Sequence, residues 1–228
     1  MLTTVISGDI VASTSLSDDG RLIVADNLIE LFAKLKDEFN TFSRIIKGDY
    51  IECVVPEPQN ALKVALIIKS FVKSLSLNPE LFTKNNKRAK NFITHGIRLA
   101  IGYGTLSRFI AEKGIVDGEA IYLSGRTISE FTSYNKERIV IKQTLYFASA
   151  NDELNEEMEV IFSLLDVLFS KATARQCEVL YLKLMNYSEN QIAEKLRIAQ
   201  PVVNHHSTSV GWNAIERAVI YFNDIIKS

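Results

Sequence analysis

Two Gly-Asp pairs constrain this chain more than any other feature: Gly8-Asp9, at the end of the β-rich run LTTVIS, and Gly48-Asp49, between FSRIIK and YIECVV. Glycine tolerates positive φ and aspartate caps turns, so Gly48-Asp49 joins its flanking runs into a hairpin. Between the two pairs lies RLIVADNLIELFAKLKDEF, in which Leu28, Leu31, Phe32, Leu35 and Phe39 recur at helical spacing and predict one buried face. A second amphipathic helix, PQNALKVALIIKSFVKSL, comes next with a proline at its start, where a missing N–H costs nothing. The charged stretch TKNNKRAKN reads as an exposed loop before the strand HGIRLAIGYG. A helix from near Gly118 and two short strands, RIVI and LYFA, complete the unit. The order β-α-β-β-α-β with additions is that of ferredoxin-like folds, so the expected class is α+β.

Near SANDELNEEME acidic and polar residues replace the β-type runs, and the remainder of the chain is helical in pattern. The expected organisation is an α+β domain over 1-150 and a connecting helix with an all-α helix-turn-helix domain over 151-228. In the connecting helix Met158, Ile161, Leu164, Leu165 and Leu168 form an apolar stripe that must be covered, either by the chain's own domain or by a second copy. Farther on, Ser188 caps a short helix and a further helix starts near Gln200-Pro201. Ile192, Ala193, Leu196, Ile198, Val202 and Val203 supply small apolar positions that let two short helices cross. If that unit enters a major groove, Gln200, Asn204, His205, Ser207 and Thr208 are the base-reading candidates. Phosphate attraction would fall to Arg175, Lys183, Lys195 and Arg197, and specific binding to a homodimer presenting two such helices.

A net charge of −1 excludes a protein that coats nucleic acid or an acidic membrane by bulk electrostatics. Cys53 and Cys177 are too few and too far apart for a disulfide framework, and no metal-type Cys pair exists. With no basic leader and no apolar run of about 18 residues, the expected location is the cytoplasm, away from membranes.

A strand ending in Asp9 beside a hairpin tip holding Asp49 brings two carboxylates to one edge of a sheet. Magnesium or manganese favours such oxygen ligands together with nucleotide phosphates. After Asp9 the short residues IVAST, with Ala12, Ser13 and Thr14, offer backbone amides to phosphate oxygens. Each Gly-Asp pair alone is equally a simple turn.

GDIVAST, KGDYIE and VDGEAIYLSGRTISE together resemble the three sequence blocks of class III nucleotidyl cyclase folds. By that similarity Asp9 and Asp49 match the metal ligands, Ala12, Ser13 and Thr14 the phosphate loop, and Arg126 the phosphate-binding, catalytic arginine. With a terminal helix-turn-helix containing AQPVV, the chain resembles the SatD family over nearly its whole length, which implies a bacterial protein with a cyclase-like domain and a DNA-binding tail. It departs from a working cyclase at two places. Tyr122 stands where a transition-state asparagine belongs, and Ile45 where the base-reading lysine does, with Lys47 nearby but about 7 Å farther along the strand. The expected function is therefore a transcriptional regulator whose cyclase-like domain senses a metal–nucleotide or related phosphate ligand. The alternative is a metal-dependent nucleotidyl cyclase or cyclic-nucleotide synthase with a helical localisation or dimerisation tail.

Overall fold

The computed structural model describes residues 2–83, 86–138, 141 and 143–227, with the side chains of 86 and 131–138 outside that description. Its elements are β1 (Leu2–Ile10), α1 (Asp18–Phe39), β2 (Phe42–Lys47), β3 (Tyr50–Val55), α2 (Ala61–Ser74), α3 (Asn86–His95), β4 (Ile97–Thr105), β5 (Arg108–Ile110), β6 (Ile115–Asp117), α4 (Glu119–Arg138) and β7 (Leu145–Ser149). A helical run completes the chain: α5 (Asp152–Lys171), α6 (Ala174–Leu184), α7 (Glu189–Leu196), α8 (Gln200–Ser209) and α9 (Trp212–Lys227). The class is α+β. The main sheet has the order β2-β3-β1-β4-β7, antiparallel except where β7 joins β4 in parallel.

Local sequence sets the ends of these elements. Ser17 caps α1 by accepting from Gly20 N, and Asn40 closes it in the left-handed region at φ 52°. Thr173 with Gln176, and Ser188 with Gln191, form reciprocal capping boxes that start α6 and α7. Strand alternation then divides the sheet into two faces. Ile6, Ile51, Leu99 and Ile101 point toward α1 and α2, while Val5, Val54 and Ala100 point toward α4. On the second face α4 lies unusually close, because a Cβ at Gly102 would sit 2.1 Å from the Ala120 carbonyl oxygen. Ser7 Oγ and Ser124 Oγ, 2.8 Å apart, hydrogen-bond across this contact.

The apolar core continues past the sheet without a break at residue 150. Helix α2 is buried along most of its length, and its Phe71 meets Tyr181 of α6 edge-on at 5.1 Å between centroids. Phe147 of β7 packs against Phe162 of α5 and Phe222 of α9. A polar network also ties α5 to the sheet. Lys69 Nζ of α2 donates to Ile97 O at 3.1 Å and to Thr144 Oγ1 at 2.5 Å, and lies 3.4 Å from Asp166 Oδ1 of α5. Asp166 accepts in turn from Thr144 N at 2.8 Å and Thr144 Oγ1 at 2.6 Å.

Two expected elements differ. TKNNKRAKN is not a loop throughout: from Asn86 it belongs to α3, which the buried Phe92 anchors on Phe82 at 5.9 Å between ring centroids. Of the strand expected at RIVI, Ile139 and Val140 lie outside the described residues, and Ile141 is in no strand.

Candidate nucleotide site at the end of the central strand

Because β1 and β3 run antiparallel, the C-terminal end of β1 lies beside the β2–β3 hairpin tip. Asp9 is a strand residue, opposite Tyr50 on one side and Arg98 on the other, and β1 continues through it to Ile10. Ile10 N donates to Asp49 O at 3.0 Å, which pins the hairpin tip to the strand end. Backbone and register thus bring Asp9 and Asp49 to the same end of β1.

The loop after β1 completes the arrangement. Ala12 takes a left-handed conformation, φ 54° and ψ 36°, that turns the chain into a short 3-10 segment, Ser13–Ser15, leading into α1. Ser13 Oγ donates to Asp49 Oδ2. Thr14 Oγ1 accepts from Arg88 Nη1 of α3 at 2.8 Å. The amides of Ile10, Val11, Ser15 and Leu16 are committed to the Asp49, Gly96, Ala12 and Ser13 carbonyls. An anion would therefore meet the amides of Ala12, Ser13 and Thr14, a narrower cradle than the whole of IVAST. Among the described residues, buried Ser15 Oγ has no hydrogen-bond partner.

Arg98, buried in β4, binds Asp9 Oδ2 at 3.2 Å. Next to this pair, burial raises the Tyr50 hydroxyl above its ordinary pKa, the Ser7 hydrogen bond opposes the rise, and the Glu52 and Asp9 charges add to it. Arg44 and Glu52, paired at 2.6 Å, brace the same face of the hairpin, with Arg44 also donating to Gly114 O.

The other candidates are less gathered. Lys47 is exposed near the hairpin tip, next to a register irregularity between Ile45 and Lys47. Arg126 is exposed on α4, one residue beyond Gly125, whose added Cβ would stand 3.5 Å from Tyr50 Oη. Tyr122, also exposed, donates to Asp117, and Ile45 packs on the core. Among the described residues no group of three or more His, Cys, Asp or Glu side chains could hold a metal ion. Two carboxylates with a serine hydroxyl fit a magnesium or manganese ion that arrives with phosphate oxygens, not a cation held by protein alone. Sequence reasoning missed Arg98 and Arg88. Arg98 had one local signal, a guanidinium between Ile97 and Leu99 in an apolar strand.

No protein-family model and no curated protein matches the chain. Among solved structures it is similar to a bacterial light-regulated adenylyl cyclase, at 16% identity over 64% of this chain and 74% of that one, with a TM-score of 0.41. It is also similar to the guanylyl cyclase Cya2, at 16% identity over 59% of this chain and 70% of that one, TM-score 0.36. A third is the adenylyl cyclase CyaB from P. aeruginosa, at 18% identity over 57% of this chain and 71% of that one, TM-score 0.35. Likeness at this level transfers no residue roles.

The expected DNA-binding regulator is corrected at its reading helix. The side chains of α8 supply a physical reason. Ser207 is buried and donates to Asn204 O at 3.0 Å, so it cannot face a base. Gln200 Nε2 donates to Glu189, whose carboxylate also takes Lys183 Nζ at 3.0 Å and a hydrogen bond from Asn204. The Lys183 hydrogen bond holds the Glu189 carboxyl below its ordinary pKa, and the resulting ion pair occupies Lys183, one of the cations expected to attract phosphate. His205 and Thr208 remain exposed or partly so, on a helix without Arg or Lys to offset phosphate repulsion. Among the described residues, no helix is long and apolar enough to cross a membrane.

Proposed function

We propose that this chain is a metal-dependent nucleotidyl cyclase. It would act on a nucleoside triphosphate bound at the end of β1, with α6–α9 as a helical tail that is not a DNA reader. The observation that carries this reading is the meeting of Asp9, Asp49, Ser13 and the Ala12–Thr14 loop where the hairpin tip is pinned to the strand end. Two carboxylates, the backbone amides of the Ala12–Thr14 turn and the Arg88 guanidinium at one loop support a triphosphate with its cation there.

In the reaction the ribose 3′ oxygen forms a bond to the α-phosphorus and the bond to the β-phosphate bridging oxygen breaks. Pyrophosphate leaves, and the 3′ hydroxyl proton passes to a carboxylate or to solvent. A divalent ion on the Asp9 and Asp49 oxygens would neutralise phosphate charge and polarise the reacting hydroxyl. Ser13 orients the Asp49 carboxylate and Arg98 fixes that of Asp9. Arg88, Lys47 and, from α4, Arg126 are the cations for the polyphosphate. Ile45 in place of a base-reading lysine relaxes base choice, and Tyr122 in place of a transition-state asparagine makes turnover slow.

Calorimetric titration with each nucleoside triphosphate and manganese, wild type beside Asp49→Ala, with chromatography of the products, tests the proposal. The expected result is heat of binding that the substitution abolishes, together with cyclic nucleotide and pyrophosphate in equal amounts. No heat with any of the four triphosphates overturns the site, and binding without product overturns the cyclase assignment.

A further inference from the structure

The surface of α5 poses a separate question. Val160, Leu164 and Val167 are 61, 64 and 49% exposed, although the opposite side of the same helix carries the buried Met158, Phe162, Leu165 and Phe169. Beside this stripe Tyr221 of α9 is nearly half exposed, and the two helices enclose a groove of about 550 Å³ lined by Leu165, Leu168 and Ala218, with Glu157 and Arg217 also in its lining. Of the expected apolar stripe the chain buries Met158 and Leu165, partly covers Ile161 and Leu168 and leaves Leu164 open, to which the exposed face adds Val160 and Val167.

The charges identify what covers the exposed face. Glu157, Val160, Leu164, Val167 and Lys171 succeed one another at steps of three, four, three and four, the spacing of a helix–helix seam. Glu157 and Lys171 lie seven residues on either side of Leu164. The N-terminal half of α5 is acidic, with Asp152, Glu153, Glu156, Glu157 and Glu159, and the exposed C-terminal end carries Lys171. We infer that α5 is the interface of a two-fold homodimer, in which the α5 helices of two copies pack antiparallel with Leu164 at the axis. In that arrangement each Glu157, whose Oε1 accepts from Tyr221 of its own α9, meets the partner copy's lysine at 171 through its other oxygen, and the negative charge at each helix N-terminus lies beside the other's basic C-terminus. A parallel pair would set glutamate against glutamate and lysine against lysine. Helix α5, about 30 Å long, with α9 alongside at about 10–12 Å across, presents several hundred Å². That is the scale of the roughly 800 Å² per partner that stable dimers bury. The inference does not rest on the nucleotide reading.

Sedimentation equilibrium of the full chain over a range of concentrations tests it. The expected species is a dimer of twice 25.7 kDa. Leu164→Lys, which sets two ammonium groups across the axis at a position that is solvent-exposed within one copy, should weaken association about 100-fold. Glu157→Lys and Lys171→Glu should each weaken it too. An equimolar mixture of the two single variants should recover it, because in the mixed dimer both ends carry opposite charges again. Circular dichroism confirms that each variant is folded. A wild type that stays monomeric at all concentrations overturns the inference, as does an unaltered dimer in Leu164→Lys. Failure of the mixture to recover association overturns the antiparallel pairing.

Discussion

The buried Lys69–Asp166 pair offers the sharpest test of what joins the helical region to the sheet. Its side chains are 1% and 9% exposed, so neither ion has water to fall back on. Asp166→Ala removes the carboxylate that balances the Lys69 ammonium and leaves Thr144 N and Oγ1 without their acceptor. Lys69 then keeps the Ile97 carbonyl and the Thr144 hydroxyl. Removing one partner of a buried pair costs about 3–5 kcal/mol, a large fraction of the roughly 5–15 kcal/mol that typically holds a domain together. Lys69→Met strands the carboxylate instead, with a similar cost. The double variant Lys69→Met, Asp166→Leu buries no charge, and the pair and its apolar replacement are often close in energy, so its loss should fall several kcal/mol short of the summed singles. Guanidinium denaturation followed by circular dichroism and by the fluorescence of Trp212, the single tryptophan, measures all four corners of the cycle. Coincident transitions would also show the sheet and α9 unfolding together. A loss below about 1 kcal/mol for Asp166→Ala, or additivity within about 0.5 kcal/mol, refutes this account of the network.

Two further outcomes rest on the geometry. Gly102→Ala puts a methyl within 2.1 Å of Ala120 O and 2.7 Å of Ser124 N, so α4 must shift. A loss of about 1–3 kcal/mol in chemical denaturation is expected, and an unchanged midpoint would mean that α4 is not seated there. His95 is held at about 4 from its ordinary 6.5, first by burial, then by the charges of Lys69, Lys73 and Arg98 against the opposing Asp166. The folded chain then binds fewer protons than the unfolded one between those values, so stability falls as pH drops from about 6.5 to 4 and is level above. Melting temperatures across that window should decline in the wild type and much less in His95→Asn. Parallel declines would remove His95 as the cause.

The strands and helices around the site were legible because each carries a local period. Ile6, Ile51 and Ile101 alternate in strands, Leu28, Leu31 and Leu35 keep helical spacing, and Gly48-Asp49 marks the one turn that sets the hairpin. The charged first turn of α3 hid a helix because its anchoring contact, Phe92 on Phe82, is tertiary. Arg98 could not be assigned to Asp9 from the sequence, since the pairing depends on the β1–β4 register across eighty-nine positions. Lys69 was unreadable for the same reason: in the helical pattern of α2 it occupies a buried position, and its partners come from β4, from Thr144 and from α5. The short helices α7 and α8 read as a groove-reading unit because spacing shows where apolar residues fall. It does not show that Glu189 folds against Gln200 and Asn204.

A strand has two faces but a single backbone, and β4 shows what that entails. The residues on either side of Arg98 are tethered from outside the strand: the Ile97 carbonyl takes the Lys69 ammonium, and the Leu99 amide donates to Thr144 O at 2.9 Å. The guanidinium that holds Asp9 thus has its anchorage in Lys69 and Thr144, both of them bound to Asp166 of α5. Wear at that anchorage would be registered first as a displaced charge at the end of β1.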